Sequence, residues 1–353
     1  MTVALRGAGA DLLDDFTVPE ELEASGPPES RGLARDGVRL MVAGELGVRH
    51  RSFTDLATLL DPRDLVVFNN SATLPAAVVV DETLAIHFST PQPGGLVVVE
   101  PRVPSGIASL QLKKARSGRV DMPGGAAIEL LAPYPLHSAT RRLWLASVDT
   151  GCPLVEYLGR WGRPIRYSYV DDAYPLESYQ TIFASVPGSA EMPSAGRPFS
   201  ERVVSSLVRA GVTLAPVTLH TGVSSLEAGE LPYPEWFEVP EATAALINHT
   251  RSRGGRVIAV GTTVVRALET SVDHLGIVHP VRSWTEVVIS TGHAIGAVDG
   301  LITGWHEPRS THLAMLEAVA GRHVLANSYR EALEHRYLWH EFGDSLLLLA
   351  DRQ

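Results

Sequence analysis

Four consecutive apolar residues, Val257-Ile258-Ala259-Val260, run straight into Gly261-Thr262-Thr263 and a helical pattern over about 264–272. A strand that is apolar on both faces must be covered on both, which points to a parallel sheet flanked by helices. The rest of the C-terminal half keeps this rhythm. Ser200 suits a helix N-cap, Ala210-Gly211 a stop, and residues 212–219 a strand ending at His220-Thr221-Gly222. Pro240-Glu241 suits a first helical turn, and that helix runs to Gly254-Gly255. A strand is expected over 286–289, helices over 311–320 and 325–337, and a closing strand over 345–349. Strand and helix alternating through short turns predict an α/β fold.

Residues 78–165 break the rhythm. Short β-type runs (76–80, 96–100, 127–131 and 142–148) alternate with Pro- and Gly-rich turns such as Pro91, Pro93-Gly94-Gly95 and Pro123-Gly124-Gly125. The pattern predicts a small all-β domain inserted at 78–165 into an α/β main domain formed by 1–77 and 166–353.

The chain's 353 residues suffice for a sizeable core. No stretch of 18 apolar residues occurs, so a membrane-spanning helix is not expected. Asp11, Asp14 and Asp15 do not suit a secretory signal, and the lone Cys152 offers no internal disulfide. A soluble cytoplasmic protein, monomeric by default, is the expectation. Against 30 basic residues stand 40 acidic ones, a balance opposite to that of a nucleic-acid coat. The densest basic run is Lys113-Lys114 with Arg116 and Arg119, which reads as a solvated hairpin edge or as a local phosphate-facing patch.

Phosphate-loop, complete dinucleotide-loop, serine-elbow and HExxH signatures are absent, and the 13 histidines form no i, i+4 pair. A metal site is therefore not expected. Polar groups at strand ends carry the chemistry instead. Gly261-Thr262-Thr263 offers backbone N–H groups and a helix N-terminus to a carboxylate or phosphate, with Arg266 on the following turn. His220 ends a strand where an acid or base would stand, or where a loop carbonyl would satisfy it. His306 precedes Pro308-Arg309-Ser310-Thr311, a helix start that Ser310 caps and from which Arg309 reaches an anion. Asn69-Asn70-Ser71 follows the apolar run Leu65-Val66-Val67-Phe68 and reads as a site corner or a plain Asx turn.

These blocks fall in a recognisable order. Asp15-Phe16-Thr17-Val18-Pro19, Asp64 to Asn69, Ser178-Tyr179-Gln180-Thr181, Pro193-Ser194-Ala195-Gly196 and Val217 to Gly222 resemble successive blocks of the S-adenosylmethionine:tRNA ribosyltransferase-isomerase family of queuosine synthesis. Glu235 to Val239, Gly255 to Thr263, Asp299 to Thr303, His306, Pro308 to Thr311 and Phe342-Gly343-Asp344 continue the similarity. The resemblance implies an α/β-barrel-like main domain with an inserted β-barrel. It implies ribosyl transfer from S-adenosylmethionine (AdoMet) to a 7-aminomethyl-7-deazaguanine base in tRNA, with isomerisation and release of adenine and methionine. It further implies AdoMet as co-substrate, no metal, and tRNA as partner. His220 and His306 become the expected acid/base pair; Asn69, Gly222, Gly261, Thr262, Thr263, Arg266, Arg309, Ser310 and Thr311 become the expected AdoMet-binding set.

The chain also departs from the family pattern. Asn69-Asn70-Ser71-Ala72 and Pro75-Ala76-Ala77 stand where an acid and two arginines are usual. Arg197-Pro198 replaces a Leu-His pair, Val223-Ser224-Ser225-Leu226 replaces Ala-Gly-Thr-Phe, and Gly304-Trp305 replaces Asn-Phe. The loop after Leu226 is shortened, with Tyr233 and Pro234 in place of histidines. Each lost charge-assisted contact is worth about 1.5–3 kcal/mol. Two other readings therefore stay open: a paralogue using AdoMet with a small-molecule acceptor or cleaving it without tRNA, and a non-catalytic AdoMet-binding descendant.

Overall fold

The computed structural model describes residue 13 and residues 16–112, 115–136, 141–223, 233–308 and 310–349. Asp11, Asp14, Asp15, Lys113, Lys114, Arg309 and the segment 224–232 lie outside the described residues. The chain divides into two compact units, one of Met1–Asn69, Ser194–Thr218 and Leu226–Gln353, the other of Asn70–Pro193 and Leu219–Ser225.

The first unit opens with the strands β1 (Arg39–Gly44), β2 (Gly47–Ser52) and β3 (Leu65–Asn69). The chain then builds the second unit. Its strands are β4 (Ser71–Thr73), β5 (Ala77–Val79), β6 (Ala85–Gln92), β7 (Leu96–Ser105), β8 (Ala108–Gln111), β9 (Gly118–Asp121), β10 (Ala127–Tyr134), β11 (Leu143–Asp149) and β12 (Val186–Ser189), with helix α1 (Leu154–Trp161) after β11. Back in the first unit come α2 (Glu201–Arg209), β13 (Thr213–Leu219), β14 (Glu235–Val239), α3 (Glu241–Ser252), β15 (Val257–Val260) and α4 (Thr262–Ser271). The strands β16 (Val281–Thr285) and β17 (Gly300–Thr303), the helices α5 (Thr311–Ala320) and α6 (Arg322–Glu334), and β18 (Ser345–Leu349) complete it.

The main sheet has nine strands in the order β16-β14-β13-β3-β15-β17-β18-β1-β2. Its centre is parallel, β13 with β3, β3 with β15, and β15 with β17. All four residues of β15 are buried, as the uninterrupted apolar run requires. Acids at the strand starts fix the register. Asp64, just before β3, takes the backbone N–H of Arg256 at 3.0 Å and its guanidinium at 2.6 Å, just before β15. Burial pushes the Asp64 carboxyl up, but the Arg256 hydrogen bonds outweigh it and hold the group below its ordinary value. Asp344 does the same between β18 and β1, pairing with Arg39 at 2.6 Å.

Ser200 caps α2 by accepting from the Val203 N–H at 3.2 Å, as expected. The helix expected from 264 starts two residues earlier, because Gly261 itself closes the strand and takes the N-cap. One expected strand is displaced. Residues 286–289 are not a strand; the edge strand is β16, in antiparallel register with β14 from Glu235↔Thr285 to Val239↔Val281. The apolar residue that suggested the later strand, Ile289, is 2% exposed as the buried anchor of a loop.

The second unit is built on a seven-stranded antiparallel sheet, β5-β6-β7-β11-β10-β9 with β8 on β7, and a parallel pair β4-β12. Positive φ at Gly94, Gly95, Gly124 and Gly125 accounts for the two Pro-Gly-Gly turns read from the sequence.

Candidate active site

In the first unit, polar groups gather where the central strands end. Asn69 closes β3 and donates from Nδ2 to Thr263 Oγ1 at 3.4 Å. Gly261 turns β15 into α4 at φ +90°, and a Cβ there would lie 3.3 Å from the Ala195 Cβ. Both conditions call for glycine. Its N–H is bound to Ile302 O on β17 at 2.8 Å, so the turn is tied to the neighbouring strand. Thr262 and Thr263 therefore open a helix whose first N–H groups stand at a fixed place.

Arg266 sits on the next turn and is 6% exposed. Its guanidinium is ion-paired with Glu235 and also meets the carbonyl oxygens of Tyr233, Thr285 and Val287 at 3.3–3.4 Å. This cation is turned onto its own protein and binds α4 to the β14/β16 edge.

His306 follows β17. Its Nε2 lies 3.0 Å from Thr303 Oγ1, and its backbone N–H donates to the Tyr329 hydroxyl at 3.2 Å. Two further histidines accompany it, neither singled out by sequence. The His312 ring centroid is 4.8 Å away, and His340, with φ +70°, has Nε2 at 3.8 Å from Glu23 and 3.9 Å from Glu307. Burial, then the charges of His312 and His340, drive the His306 pKa well below its ordinary value. Burial and the nearby Arg266 bring His312 to about 4, and burial brings His340 to about 4. All three are neutral at pH 7. Ser310 caps α5 by accepting from the Leu313 N–H at 3.1 Å, and Thr311 begins the helix.

Beneath His306 lies a cluster of rings. Trp305 is 3% exposed, with Tyr329, Tyr337 and Trp339 at centroid distances of 5.2–5.7 Å. The wider indole thus fills a buried ring position, which gives the Gly304-Trp305 departure a packing role.

His220 belongs to the second unit. Its Nδ1 is 2.7 Å from Ser71 Oγ, and Ser71 Oγ is 2.6 Å from Ser189 Oγ, which accepts from the Thr221 N–H at 3.1 Å. Ser189 is fully buried, so its hydroxyl proton needs an acceptor, and Ser71 Oγ stands within reach. With Ser71 donating to Nδ1, the imidazole proton sits on Nε2. Burial lowers the His220 pKa to about 4, so the ring is neutral at pH 7. Gly188 on β12 makes room for it. A Cβ there would fall 2.5 Å from Nδ1 and Cε1. Gly222 follows two residues on, and Val223 donates its N–H to Ser89 Oγ at 3.0 Å.

The structure therefore brings Asn69, Gly261, Thr262 and Thr263 together at one corner of the main sheet, and surrounds His306 with a histidine cluster. Arg309 lies outside the described residues. Ser71, Ser189, Gly188, His312, His340 and Glu235 were not legible as partners, because each acts through a tertiary contact between distant segments. A cavity of about 400 Å³ beside β1 and β2, lined by Gly44, Arg49, Asp61 and Arg256 among others, contains none of these residues.

Comparison with known proteins gives one consistent picture. A family model described as "Queuosine biosynthesis protein" matches residues 14–348. An S-adenosylmethionine:tRNA ribosyltransferase-isomerase of Gloeobacter violaceus is 35% identical over 95% of this chain and 94% of its own length. Its counterpart in Symbiobacterium thermophilum is 34% identical over 95% and 98%. The crystal structure of S-adenosylmethionine tRNA ribosyltransferase from Thermotoga maritima matches with a TM-score of 0.52 at 26% identity, covering 96% of this chain and all of that one.

Proposed function

The chain belongs to the queuosine biosynthesis protein family, and from that premise we propose that it moves the ribosyl unit of AdoMet onto a 7-aminomethyl-7-deazaguanine base in tRNA and isomerises it. Adenine and methionine are released. The observation that carries this reading is a family match that runs almost end to end, through every strand end described above.

AdoMet is a substrate whose sulfonium acidifies its C5′ protons and makes methionine a leaving group. What the protein must add is an anion grip, a proton acceptor and a proton donor. The first turn of α4, opened by Gly261, Thr262 and Thr263 with Asn69 beside it, takes the anionic end. Gly222, Arg309, Ser310 and Thr311 complete the proposed binding set. Arg266 acts through Glu235, holding α4 against the edge strands, so its part is positioning.

His220 and His306 handle the protons. His220, held neutral, can donate a hydrogen bond to the departing group, whose proton then comes from solvent. His306 is bound through Nε2 to Thr303, so its exchanging atom is Nδ1. A neutral imidazole can accept a proton at pH 7, and the low pKa that burial gives His306 keeps it in that form.

The same reading covers organisation and place. Residues 1–77 and 166–353 form the barrel-like main domain and 78–165 the inserted β-barrel, supported by a seven-stranded sheet whose strands all lie between Ala77 and Asp149. Action on tRNA supports a cytoplasmic place, with a monomer as the default state; no described helix is long and apolar enough to cross a membrane.

The test is to incubate the protein with AdoMet, with and without tRNA bearing the aminomethyl deazaguanine, and to quantify adenine and methionine. Release only with that tRNA is expected. Equal release without it overturns the proposed acceptor and favours the small-molecule or cleavage reading that Ala72, Ala77 and Pro198 suggested.

A further inference from the structure

Three side chains of the first unit converge on the surface between the edge strand β2 and helix α6. His50 points from β2; Glu331 stands in the last turn of α6 and His335 four residues on, at its C-cap. One donor atom from each lies within 4.8 Å of the other two. His50 Nε2 is 3.5 Å from Glu331 Oε2, and His335 Nε2 is 3.3 Å from the same oxygen. Two ligands held about 2.0–2.2 Å from a tetrahedral ion are about 3.3–3.6 Å apart, so both imidazole–carboxylate separations match neighbouring ligands of one ion, and the third donor pair lies within 4.8 Å.

The arrangement has a supporting partner. His50 Nδ1 is 2.9 Å from the Tyr337 hydroxyl, which leaves Nε2 facing Glu331 and fixes the ring's orientation. The hydroxyl oxygen is placed to accept the Nδ1–H, the tautomer that leaves the Nε2 lone pair for an ion. Tyr337 is in turn held by the Arg39 guanidinium, 4.1 Å over its ring, whose charge is matched by Asp344. An oriented second ring nitrogen is the usual companion of a histidine ligand.

We propose that His50, Glu331 and His335 bind one first-row divalent cation of the zinc class. Two imidazole nitrogens and a carboxylate select such an ion over magnesium or calcium, which prefer all-oxygen shells. With three protein ligands and water in the remaining position, the ion pins the exposed edge of the nine-stranded sheet to α6.

Untagged protein is titrated with zinc chloride by calorimetry, and with cobalt(II) by visible absorption. One zinc per chain at micromolar Kd and the intense absorption of tetrahedral cobalt are expected. His335→Ala and His50→Gln should weaken binding more than about 100-fold, and Tyr337→Phe by about 10-fold. Saturating zinc should raise the wild-type Tm by about 4 °C and leave that of His335→Ala unchanged. Melts in EDTA show that each variant is folded before its titration is scored. Absence of zinc binding to wild type, a millimolar Kd, or unaltered binding by the folded variants would overturn the proposal.

Discussion

Replacing Gly188 by alanine tests how closely the catalytic assignment of His220 depends on its packing. The new Cβ would sit 2.5 Å from Nδ1 and Cε1 and 2.6 Å from Cγ. Carbon contacts settle near 3.5–4.0 Å, so the ring must retreat by about 1 Å. The Ser71 Oγ–Nδ1 separation is 2.7 Å, and a shift of that size breaks the hydrogen bond. The lost bond costs about 0.5–1.5 kcal/mol and the overpacking about 1–3 kcal/mol, so stability should fall by about 1.5–4.5 kcal/mol. A catalytic group misplaced by about 1 Å costs on the order of 100-fold in rate. Adenine release from AdoMet in the presence of modified tRNA reads the rate, and urea unfolding reads the stability. Ser71→Ala is the milder companion, leaving the ring in place but removing its orienting donor; a rate loss of about 10-fold is expected. If Gly188→Ala turned over at the wild-type rate, His220 would have no part in the chemistry, whatever its hydrogen bonds.

Gly261→Ala must place a side chain at φ +90° against Ala195, 3.3 Å away, at a cost of about 1–3 kcal/mol, and should raise KM for AdoMet more than it lowers kcat; an unchanged KM would remove the α4 turn from the binding site. Trp305→Phe exchanges buried area for an indole N–H with no hydrogen-bond partner among the described residues, which costs about 1–3 kcal/mol to bury, so Tm should move by only a few degrees. A collapse of the fold would refute that balance. Acid should destabilise the chain well above the carboxylate range. His87 is held at about 3, and His220, His312 and His340 at about 4, against an ordinary 6.5. Their folded pKa values are depressed, so the stability they contribute is complete above about pH 6.5. It drains away as the pH falls towards 4, at about 1.4 kcal/mol per group and pH unit. Glu23 and Glu307, whose pKa values are raised by burial first, work in the opposite sense. The urea midpoint at pH 7.5, 6 and 5 should fall steeply, and a flat profile would show that these rings are not held neutral.

Local pattern carried the sheet well wherever a strand was buried on both faces. Leu65 to Phe68 and Val257 to Val260 could be read directly, because nothing polar interrupts them before the turn. The edge was harder. β2 reads Gly-Val-Arg-His-Arg-Ser, with neither an apolar run nor clean alternation, and it is a strand only because β1 offers it a ladder. At the site, the strand-end residues announced themselves through their position after apolar runs. Their partners did not. Ser71 and Ser189 are 118 positions apart, and no spacing rule joins two serines and a histidine over that distance.

The departures from the family pattern take on a different weight once their surroundings are known. Arg197, in a block that usually carries leucine and histidine, is 2% exposed; it meets Glu29 at 2.9 Å and stands 5.2 Å over the Phe342 ring. It therefore braces the fold and cannot substitute for a lost substrate contact. Trp305 fills a ring cluster, and Ser71 keeps a hydroxyl on His220. The two alanines are the departures that bear on the acceptor. Ala77 is 9% exposed in β5, paired through its backbone with Arg163 on one side and His87 on the other, and its methyl group offers no cation to a phosphate. Two missing phosphate contacts would lower the salt dependence of tRNA binding by about two counterions. The turn from β15 into α4, by contrast, keeps its glycine and its hydroxyls. Loss of the two phosphate contacts should appear as a raised KM for tRNA with little change in kcat.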